Sequence, residues 1–157
     1  MTNSTPGQES VWDYPRPPVI VADSRLVVVG DPEDPIARTA DSVRVLETAS
    51  PPTFYLPVDD INVDRLVPIA GRSMCEWKGE ATYWALADAP EFPIAWEYQH
   101  PFADFAALAG HMSFYPGRIV CTVDGEVVQA QSGGFYGGWI TAEIVGPFKG
   151  DPGTGHW

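Results

Sequence analysis

Short apolar runs rich in β-branched residues recur along the chain and are separated by turn-forming residues. Residues 43–47 alternate apolar with polar side chains at a period of two, which is typical of a half-buried strand. Sixteen prolines and fifteen glycines interrupt the chain every few residues and disfavour long helices. The pattern predicts a mainly β protein. Further strands are predicted at residues 19–21, 25–30, 36–41, 53–57, 65–67, 81–87 and 94–98.

The clearest local signal is a β-hairpin at residues 119–128. Its turn, Asp124-Gly125, suits a type I′ conformation, which needs positive φ at both central residues. One short helix is predicted near residues 103–110, where good helix formers are followed by Gly110 as a stop signal. Its expected apolar face consists of Phe105, Leu108 and Ala109.

The two ends of the chain differ from its middle. Residues 1–10 are polar, and we expect them to be a disordered tail. The proline-rich residues 11–18 predict an extended segment anchored by Trp12 and Tyr14. Residues 11–157 are expected to form one domain, which suits a chain of 157 residues. Its glycine-rich C-terminal stretch is predicted to wrap the domain as loops pinned by Phe135, Tyr136, Trp139 and Phe148.

The charge of the chain argues against nucleic acid as a partner. The formal net charge is −12, from 21 acidic and nine basic residues. The basic residues are spread along the sequence, whereas a nucleic-acid surface needs several on one face. No run approaches the roughly 18 consecutive apolar residues of a membrane helix, and the N-terminus lacks the basic and apolar regions of a signal peptide. We therefore expect a soluble, cytoplasmic protein that binds neither nucleic acid nor membrane.

Side chains that could hold a metal ion are few and dispersed. Cys75 and Cys121 stand alone, and His100, His111 and His156 have no close partners, so the paired spacings of a structural zinc site are missing. We predict a fold without zinc or another cofactor, and without a structural disulfide in a reducing cytosol. Cys121 lies within an apolar strand and is expected in the core.

One stretch, residues 75–84 with the sequence CEWKGEATYW, contains a thiol, an ammonium group, a flexible glycine and three large aromatic rings. We interpret it as the rim and wall of a pocket. Lys78 would point its ammonium group at an anionic ligand beside the apolar wall of Trp77. A surface lysine beside a core tryptophan explains the same residues equally well.

Cys75 is the candidate catalytic residue. Lys78, three residues further along, would supply the positive charge that lowers a thiol pKa. A catalytic cysteine usually has a histidine base, and none lies nearby in the sequence. A buried structural thiol is therefore the favoured interpretation of Cys75.

Six segments carry motifs that are specific in combination: residues 9–18 (ESVWDYPRPP), 44–48 (RVLET), 75–81 (CEWKGEA), 95–98 (AWEY), 114–118 (FYPGR) and 133–139 (GGFYGGW). Together they resemble the bacterial family called domain of unknown function 427. The resemblance implies a β-tent-like domain of two antiparallel sheets that meet at an angle, as in methionine-R-sulfoxide reductases and the thalidomide-binding domain of cereblon. Many β-tent relatives hold zinc through two Cys-x-x-Cys knuckles, which are missing here, so a zinc-free version is implied.

The family has no established activity, so the resemblance implies no mechanism. Its motif carries over as Cys75, Trp77, Lys78, Gly79, Ala81 and Tyr83, followed by a second aromatic block of Trp96 and Tyr98. The chain departs from the family at Ala49-Ser50, where many members have Ser-His before the double proline. If that histidine serves as a catalytic base, this chain has lost it.

Three functional hypotheses follow from these residues. The preferred one is a small-molecule binding domain with an aromatic-lined pocket. The alternatives are a cysteine-dependent enzyme that uses Cys75, and a protein interaction domain whose exposed tail aromatics contact a partner. The sequence does not decide between them and names no ligand. The expected ligand-binding residues are Tyr55, Trp77, Lys78, Tyr83 and Trp96.

Overall fold

The computed structural model describes residues 8–75, 78–131, 137–146 and 148, and within residues 71–75 it describes the backbone only. This part of the chain folds mainly as β-strands, as predicted. Its helical segments are short 3₁₀ turns at Val11–Asp13, Val58–Asp60, Val63–Arg65 and Ala103–Leu108.

The strands are, in chain order, β1 (Glu9–Ser10), β2 (Val19–Asp23), β3 (Val27–Asp31), β4 (Asp34–Thr39), β5 (Ser42–Leu46), β6 (Thr53–Pro57), β7 (Leu66–Cys75), β8 (Gly79–Leu86), β9 (Pro93–Glu97), β10 (His111–Phe114), β11 (Cys121–Val123), β12 (Glu126–Val127), β13 (Gln129–Ala130), β14 (Trp139–Ile140) and β15 (Ile144–Val145). The strands predicted at residues 43–47 and 53–57 correspond closely to β5 and β6.

The largest sheet has seven strands in the order β2-β5-β6-β10-β9-β8-β7, all paired antiparallel. Its longest strand, β7, pairs with β8 so that Cys75 lies opposite Gly79. The stretch 75–84 therefore begins at the end of one strand and continues into the next strand of a hairpin. The sequence predicted only the first residues of β7, because Pro68 follows the predicted strand at residues 65–67.

A second sheet of four strands, in the order β12-β11-β3-β4, packs on the first sheet. The main core between the sheets contains Phe54, Leu56 and Phe114 from the seven-stranded sheet. Burial of such apolar surface is the principal driving force of the fold. Two antiparallel sheets around a shared core confirm the predicted fold class. The four-stranded sheet contributes Val27, Val29, Ile36, Ala37, Cys121 and Val123 to this core.

Trp139 completes the main core from β14. It is fully buried and stacks on Phe54, with 4.9 Å between the ring centroids. Its indole Nε1 donates a hydrogen bond of 3.0 Å to the carbonyl oxygen of Phe114. Trp139 therefore fixes the C-terminal segment to both the rings and the backbone of the sheet, as the sequence predicted for this residue.

The predicted hairpin turn is confirmed, because Asp124 has φ of 48° and Gly125 has φ of 84° between β11 and β12. The predicted helix is present as the 3₁₀ segment Ala103–Leu108. Phe105 departs from helical geometry with φ of −121°, which interrupts the segment. Phe105 and Leu108 are buried as expected, whereas Ala109 is exposed and does not belong to the apolar face.

The N-terminal segment differs from the sequence prediction. Glu9 and Ser10, which we placed in the disordered tail, form strand β1, parallel to β15. The next three residues form a 3₁₀ turn rather than extended chain, because the Ser10 side chain accepts a hydrogen bond from the Trp12 backbone N–H and caps the turn. Trp12, which was predicted as an anchor, is 44% exposed. Val11 and Tyr14 are the buried residues of the segment.

The C-terminal segment is described in two parts. Phe148 is partly buried and packs against the cluster of Val11, Tyr14 and Ile144. The other predicted tail anchors, Phe135 and Tyr136, lie outside the described residues. No helix in the described part of the chain is long and apolar enough to cross a membrane.

Candidate functional site: an aromatic cluster with a buried lysine

The seven-stranded sheet carries a second cluster of side chains on the face opposite the main core. Successive residues of a strand point to opposite faces, so Phe54 joins the main core while Tyr55 points the other way. We call this second group the aromatic cluster. Its buried members are Val45, Tyr55, Ala81, Trp96, Tyr98, Phe105 and Leu108, and Ile20, Val43, Tyr83 and Tyr115 pack against them.

Four neighbouring strands supply the centre of the aromatic cluster. Trp96 of β9 lies opposite Tyr83 of β8 on one side and opposite Ser113 of β10 on the other. The register of β10 with β6 then places Tyr55 next to Ser113. The Trp96 Nε1 donates a hydrogen bond of 3.1 Å to the Tyr55 hydroxyl. This bond joins strands on either side of β10, so the residue between them must be small.

Ser113 satisfies that steric requirement but adds a polar atom. It is fully buried, and its Oγ has no hydrogen-bond partner in the described part of the chain. A buried hydroxyl without a partner costs free energy. The aromatic cluster therefore contains polar groups, Ser113 Oγ and the Trp96–Tyr55 pair, within an otherwise apolar setting.

The rings of the aromatic cluster pack against one another. Trp96 lies 4.5 Å from Tyr115 between centroids, and it meets Tyr55 edge-to-face at 6.0 Å. Tyr98 lies 6.3 Å from Tyr55. Aromatic pairs of this kind contribute roughly 0.5–1.5 kcal/mol beyond the burial of their surface. The rings thus form a rigid wall on one face of the sheet.

Lys78 lies at the edge of this wall, immediately before β8. It is only 9% exposed, and its Nζ lies 6.0 Å from the centroid of the Phe105 ring. The Lys78 carbonyl oxygen accepts a hydrogen bond of 2.9 Å from the backbone N–H of Phe102. Gly79 has φ of 118°, and a Cβ there would lie 3.4 Å from the His100 carbonyl oxygen. The positive φ favours glycine at this position, whereas the contact with the segment before the 3₁₀ turn would be an ordinary van der Waals contact.

Tyr115 packs on Trp96, and Arg118 lies over the Tyr115 ring. The guanidinium carbon of Arg118 lies 4.2 Å from the centroid of the Tyr115 ring, and its Nη1 donates a hydrogen bond of 2.9 Å to the Pro93 carbonyl oxygen. Burial, assisted by the nearby Tyr83 and opposed by Arg118, raises the pKa of Tyr115 to about 12. At neutral pH the Tyr115 hydroxyl is therefore a hydrogen-bond donor.

The structure brings four of the predicted site residues together. Tyr55 and Trp96 are buried in the aromatic cluster, Tyr83 packs against it, and Lys78 contacts it through Phe105. Trp77 lies outside the described residues, and only the backbone of Cys75 is described. Sequence reasoning did not assign Phe105, Ser113, Tyr115 or Arg118 to the site. Strand alternation around Tyr55 and Trp96 would have suggested Ser113, but only the fold brings Phe105 and Arg118 to the rings.

The described side chains include neither a reactive thiol at Cys121 nor a metal centre. Cys121 is buried as expected, its burial raises the pKa of the thiol, and its Sγ donates to the Ile119 carbonyl oxygen at 3.5 Å. Within the residues that the structure describes, no group of three or more His, Cys, Asp or Glu side chains is arranged to hold a metal ion. A groove of about 270 Å³, lined by residues 35–38 and 59–62, lies beside β4 and away from the aromatic cluster.

An ion cluster lies beside Phe54, where the main-core face of the sheet ends. Arg44 pairs with Glu9 at 2.9 Å and with Asp23 at 3.2 Å. Arg25 pairs with Asp23 at 2.7 Å and also with Glu143, and its guanidinium lies 5.5 Å from the Phe54 centroid. The Tyr14 hydroxyl donates to Glu9 at 2.6 Å. These contacts link β1 to the large sheet and to the segment before β15, which indicates a structural role.

Two comparisons with known proteins bear on the chain. A family model described as a domain of unknown function (DUF427) matches residues 19–129. This range covers β2 to β12 and the first residue of β13, and it includes the described residues of the aromatic cluster. A search of curated proteins gives no match.

Proposed function

The chain belongs to the domain of unknown function 427 family, and from the aromatic cluster we propose that it is a small-molecule binding domain. The proposed ligand contains an aromatic ring and carries an anionic group. Lys78 contacts the anionic group, while Tyr55, Tyr83 and Trp96 bind the apolar part. Trp77 remains a proposed wall residue.

The observation that carries this proposal is the burial of Lys78 beside aromatic rings. A cation removed from water costs free energy unless nearby groups compensate it, and an aromatic face supplies some of that compensation. Lys78 is 9% exposed and lies 6.0 Å from the Phe105 ring in a chain whose net charge is −12. A cation held in this position is suited to attract and orient an anionic group.

The polar groups that accompany the aromatic cluster also support the proposal. Tyr83, Tyr115 and Arg118 are partly buried and bring two hydroxyl groups and a guanidinium group to the aromatic cluster. Ligand sites typically combine aromatic walls with a few polar groups that fix orientation. Tyr115 supplies a protonated hydroxyl at neutral pH. Arg118, which lies over the Tyr115 ring, supplies a second positive charge.

The test is a binding screen of the full chain by thermal unfolding and native mass spectrometry. The probes are aromatic carboxylates and aromatic phosphates, each paired with its neutral ester or amide. We expect saturable binding of an anionic probe and weaker binding of its neutral analogue. Lys78→Met keeps the aliphatic stem and deletes the ammonium group. It should therefore lower the affinity for the anionic probe by about tenfold or more.

Arg38→Met is the matched control, because Arg38 is exposed on β4. It should leave affinity for the anionic probe unchanged. Two results would contradict the assignment of Lys78 as the anion contact. One is unchanged affinity in Lys78→Met, and the other is an equal loss of affinity in Arg38→Met.

The cysteine-enzyme alternative makes a different prediction. Cys75→Ser nearly preserves side-chain volume, so a binding domain should retain its ligand. If Cys75→Ser abolishes a turnover activity while Lys78→Met leaves affinity unchanged, a thiol enzyme replaces the binding domain as the explanation. The protein-interaction alternative has less support, because Trp139 is fully buried and therefore cannot meet a partner.

A further inference from the structure

A buried carboxylate lies on the face of the seven-stranded sheet opposite the aromatic cluster. Glu97 belongs to β9 and is 7% exposed. Its neighbour Trp96 points into the aromatic cluster, so strand alternation directs Glu97 to the other face. Glu97 accepts hydrogen bonds from Trp84 Nε1 at 2.7 Å and from Gln99 Nε2 at 3.1 Å.

Both donors contact the same carboxylate oxygen. Trp84 and Gln99 each donate to Oε1 of Glu97. Over residues 8–70, 78–131, 137–146 and 148, whose side chains the structure describes, the contacts include no basic partner for Glu97 and no hydrogen bond to its Oε2. A buried carboxylate is costly unless its charge is compensated. Oε2 therefore has the capacity to accept a hydrogen bond from a donor outside this set.

A buried polar atom without a partner lies across the strand pair from Glu97. Thr82 of β8 is directly opposite Glu97. Its Oγ1 is inaccessible to solvent and has no hydrogen-bond partner in the part of the chain that the structure describes. Opposed residues in antiparallel strands have Cβ atoms roughly 4.5–5.5 Å apart. Two independent observations thus place unused hydrogen-bonding capacity at the same point of the sheet.

We propose that Glu97 and Thr82 bind an organic cation with N–H donors, an ammonium or guanidinium group. One such group can donate to Glu97 Oε2 and Thr82 Oγ1 together, and its charge compensates the buried carboxylate. Trp84 adds an indole ring that is partly buried, and Gln99 is exposed, so the site borders solvent. A calcium ion suits the site less well, because it takes roughly six to eight oxygen ligands, and N–H groups already bind Oε1.

The test uses 2-phenylethylammonium chloride as the probe and its neutral N-acetyl derivative as the comparison, with binding to the full chain measured by calorimetry. We expect saturable binding of the cation and none of the amide. Glu97→Gln keeps the shape and an acceptor for Trp84 but removes the charge, so affinity should fall about tenfold or more. Thr82→Val removes only the hydroxyl and should weaken binding about threefold or more. Glu91→Gln, an exposed control just before β9, should bind as the unaltered chain does.

Three results would overturn the proposal: no saturable binding of the cation, equal binding of the neutral amide, or unchanged affinity in Glu97→Gln and Thr82→Val. The comparison of cation with amide needs no variant, so it holds even if one variant fails to fold. Lys78→Met should leave cation binding unchanged, because Lys78 belongs to the opposite face. The two binding proposals therefore stand or fall separately.

An internal ion pair with Arg72 is the competing explanation for Glu97, because the Arg72 backbone lies opposite that of Thr82. A double-mutant cycle of Arg72→Met and Glu97→Gln distinguishes the two. Additive effects on unfolding are expected for a ligand site. Strong coupling, with cation binding only in Arg72→Met, would show that Arg72 compensates the carboxylate and that no ligand is needed.

Discussion

The two faces of the seven-stranded sheet are made by the same strands but differ in chemistry. Phe54 and Met112 face the four-stranded sheet in an apolar core, while their chain neighbours Tyr55 and Ser113 face the aromatic cluster. The first face is apolar around Phe54 and Met112, and its buried polar atoms at Thr82 and Glu97 lie on the neighbouring strands β8 and β9. The second keeps hydroxyl, indole and ammonium groups within a buried setting, which costs stability and is characteristic of functional sites.

The two buried tryptophans show how the faces differ in detail. Trp139 donates its indole hydrogen bond to a backbone carbonyl, whereas Trp96 donates to the side chain of Tyr55. A backbone carbonyl remains available as an acceptor when the side chain of its residue is substituted, whereas a side-chain hydroxyl is lost with the side chain. The main core therefore depends mostly on apolar volume, and the aromatic cluster depends also on specific polar pairs.

The largest expected effect is the loss of apolar volume in the main core. Trp139→Ala should lower the free energy of unfolding by about 3–5 kcal/mol, as large truncations in packed cores do. Denaturant unfolding measures the change, and Phe102→Ala, at an exposed aromatic residue, should change the free energy of unfolding by about 0.5 kcal/mol or less. A loss below about 1 kcal/mol for Trp139→Ala would mean that the C-terminal segment does not complete the core.

A smaller effect should follow from removing one hydroxyl in the aromatic cluster. Tyr55→Phe leaves the Trp96 Nε1 without its acceptor, which should cost about 1–3 kcal/mol. Trp96→Phe removes the donor instead, so a double-mutant cycle of the two substitutions isolates the bond. If the effects of Tyr55→Phe and Trp96→Phe simply add, the hydrogen bond contributes nothing and the two faces do not differ in this respect.

Acid should weaken the structure through the ion cluster beside the main core. Burial raises the pKa values of Glu9 and Asp23, but hydrogen bonds and charges from Arg44, Tyr14 and Arg25 outweigh it and hold them below their ordinary values of 4.5 and 3.8. Their contribution is therefore present above these ordinary values and is lost as the pH falls through the lower folded-state values.

Denaturant unfolding between neutral pH and about pH 3 measures this loss. Glu9→Gln should reduce the dependence of stability on pH in the acid range, whereas Glu33→Gln, in the exposed turn after β3, should leave it unchanged. If stability depends on pH in the same way in the unaltered chain, Glu9→Gln and Glu33→Gln, then Glu9 does not contribute to the loss of stability in acid.

Alkali should act on the aromatic face, with the smallest effect because one partly buried group is involved. The pKa of Tyr115 is raised by burial from 10.0 to about 12. A group with a raised folded-state pKa contributes stability below its unfolded value of 10.0, and that contribution is lost as the pH rises towards 12. Phenolate absorbance should show one fewer late-titrating tyrosine in Tyr115→Phe. An unchanged titration curve between these values would contradict the burial of this hydroxyl.

Much of the local structure could be predicted, because it depends on residues close together in the chain. The strands at residues 43–47 and 53–57 follow from alternation, and the Asp124-Gly125 turn follows from the backbone freedom of its residues. The ion cluster could not be predicted, because Arg44 and Glu9 are 35 positions apart and Arg25 and Glu143 are 118 apart. No local pattern links such residues.

The candidate site was predictable in its residue types and not in its arrangement. Tyr55, Tyr83 and Trp96 were expected to line a pocket, but their grouping depends on the neighbouring order β6-β10-β9-β8. The position of Glu97 opposite Thr82, whose Oγ1 has no partner among the described residues, follows from the register of two strands. A shift of one residue in that register would direct these side chains to the other face.

The sequence by itself determined the secondary structure class, the main turns and the family. The tertiary structure alone decided which strands share a sheet: β2 and β3 are consecutive in the chain but belong to different sheets, and β1 pairs with β15 from the far end of the chain. The physical reason is that backbone hydrogen bonds between strands are the same for every residue type except proline. The choice of partner, and with it the face that each side chain occupies, depends on how the apolar surface of the whole chain is buried at once.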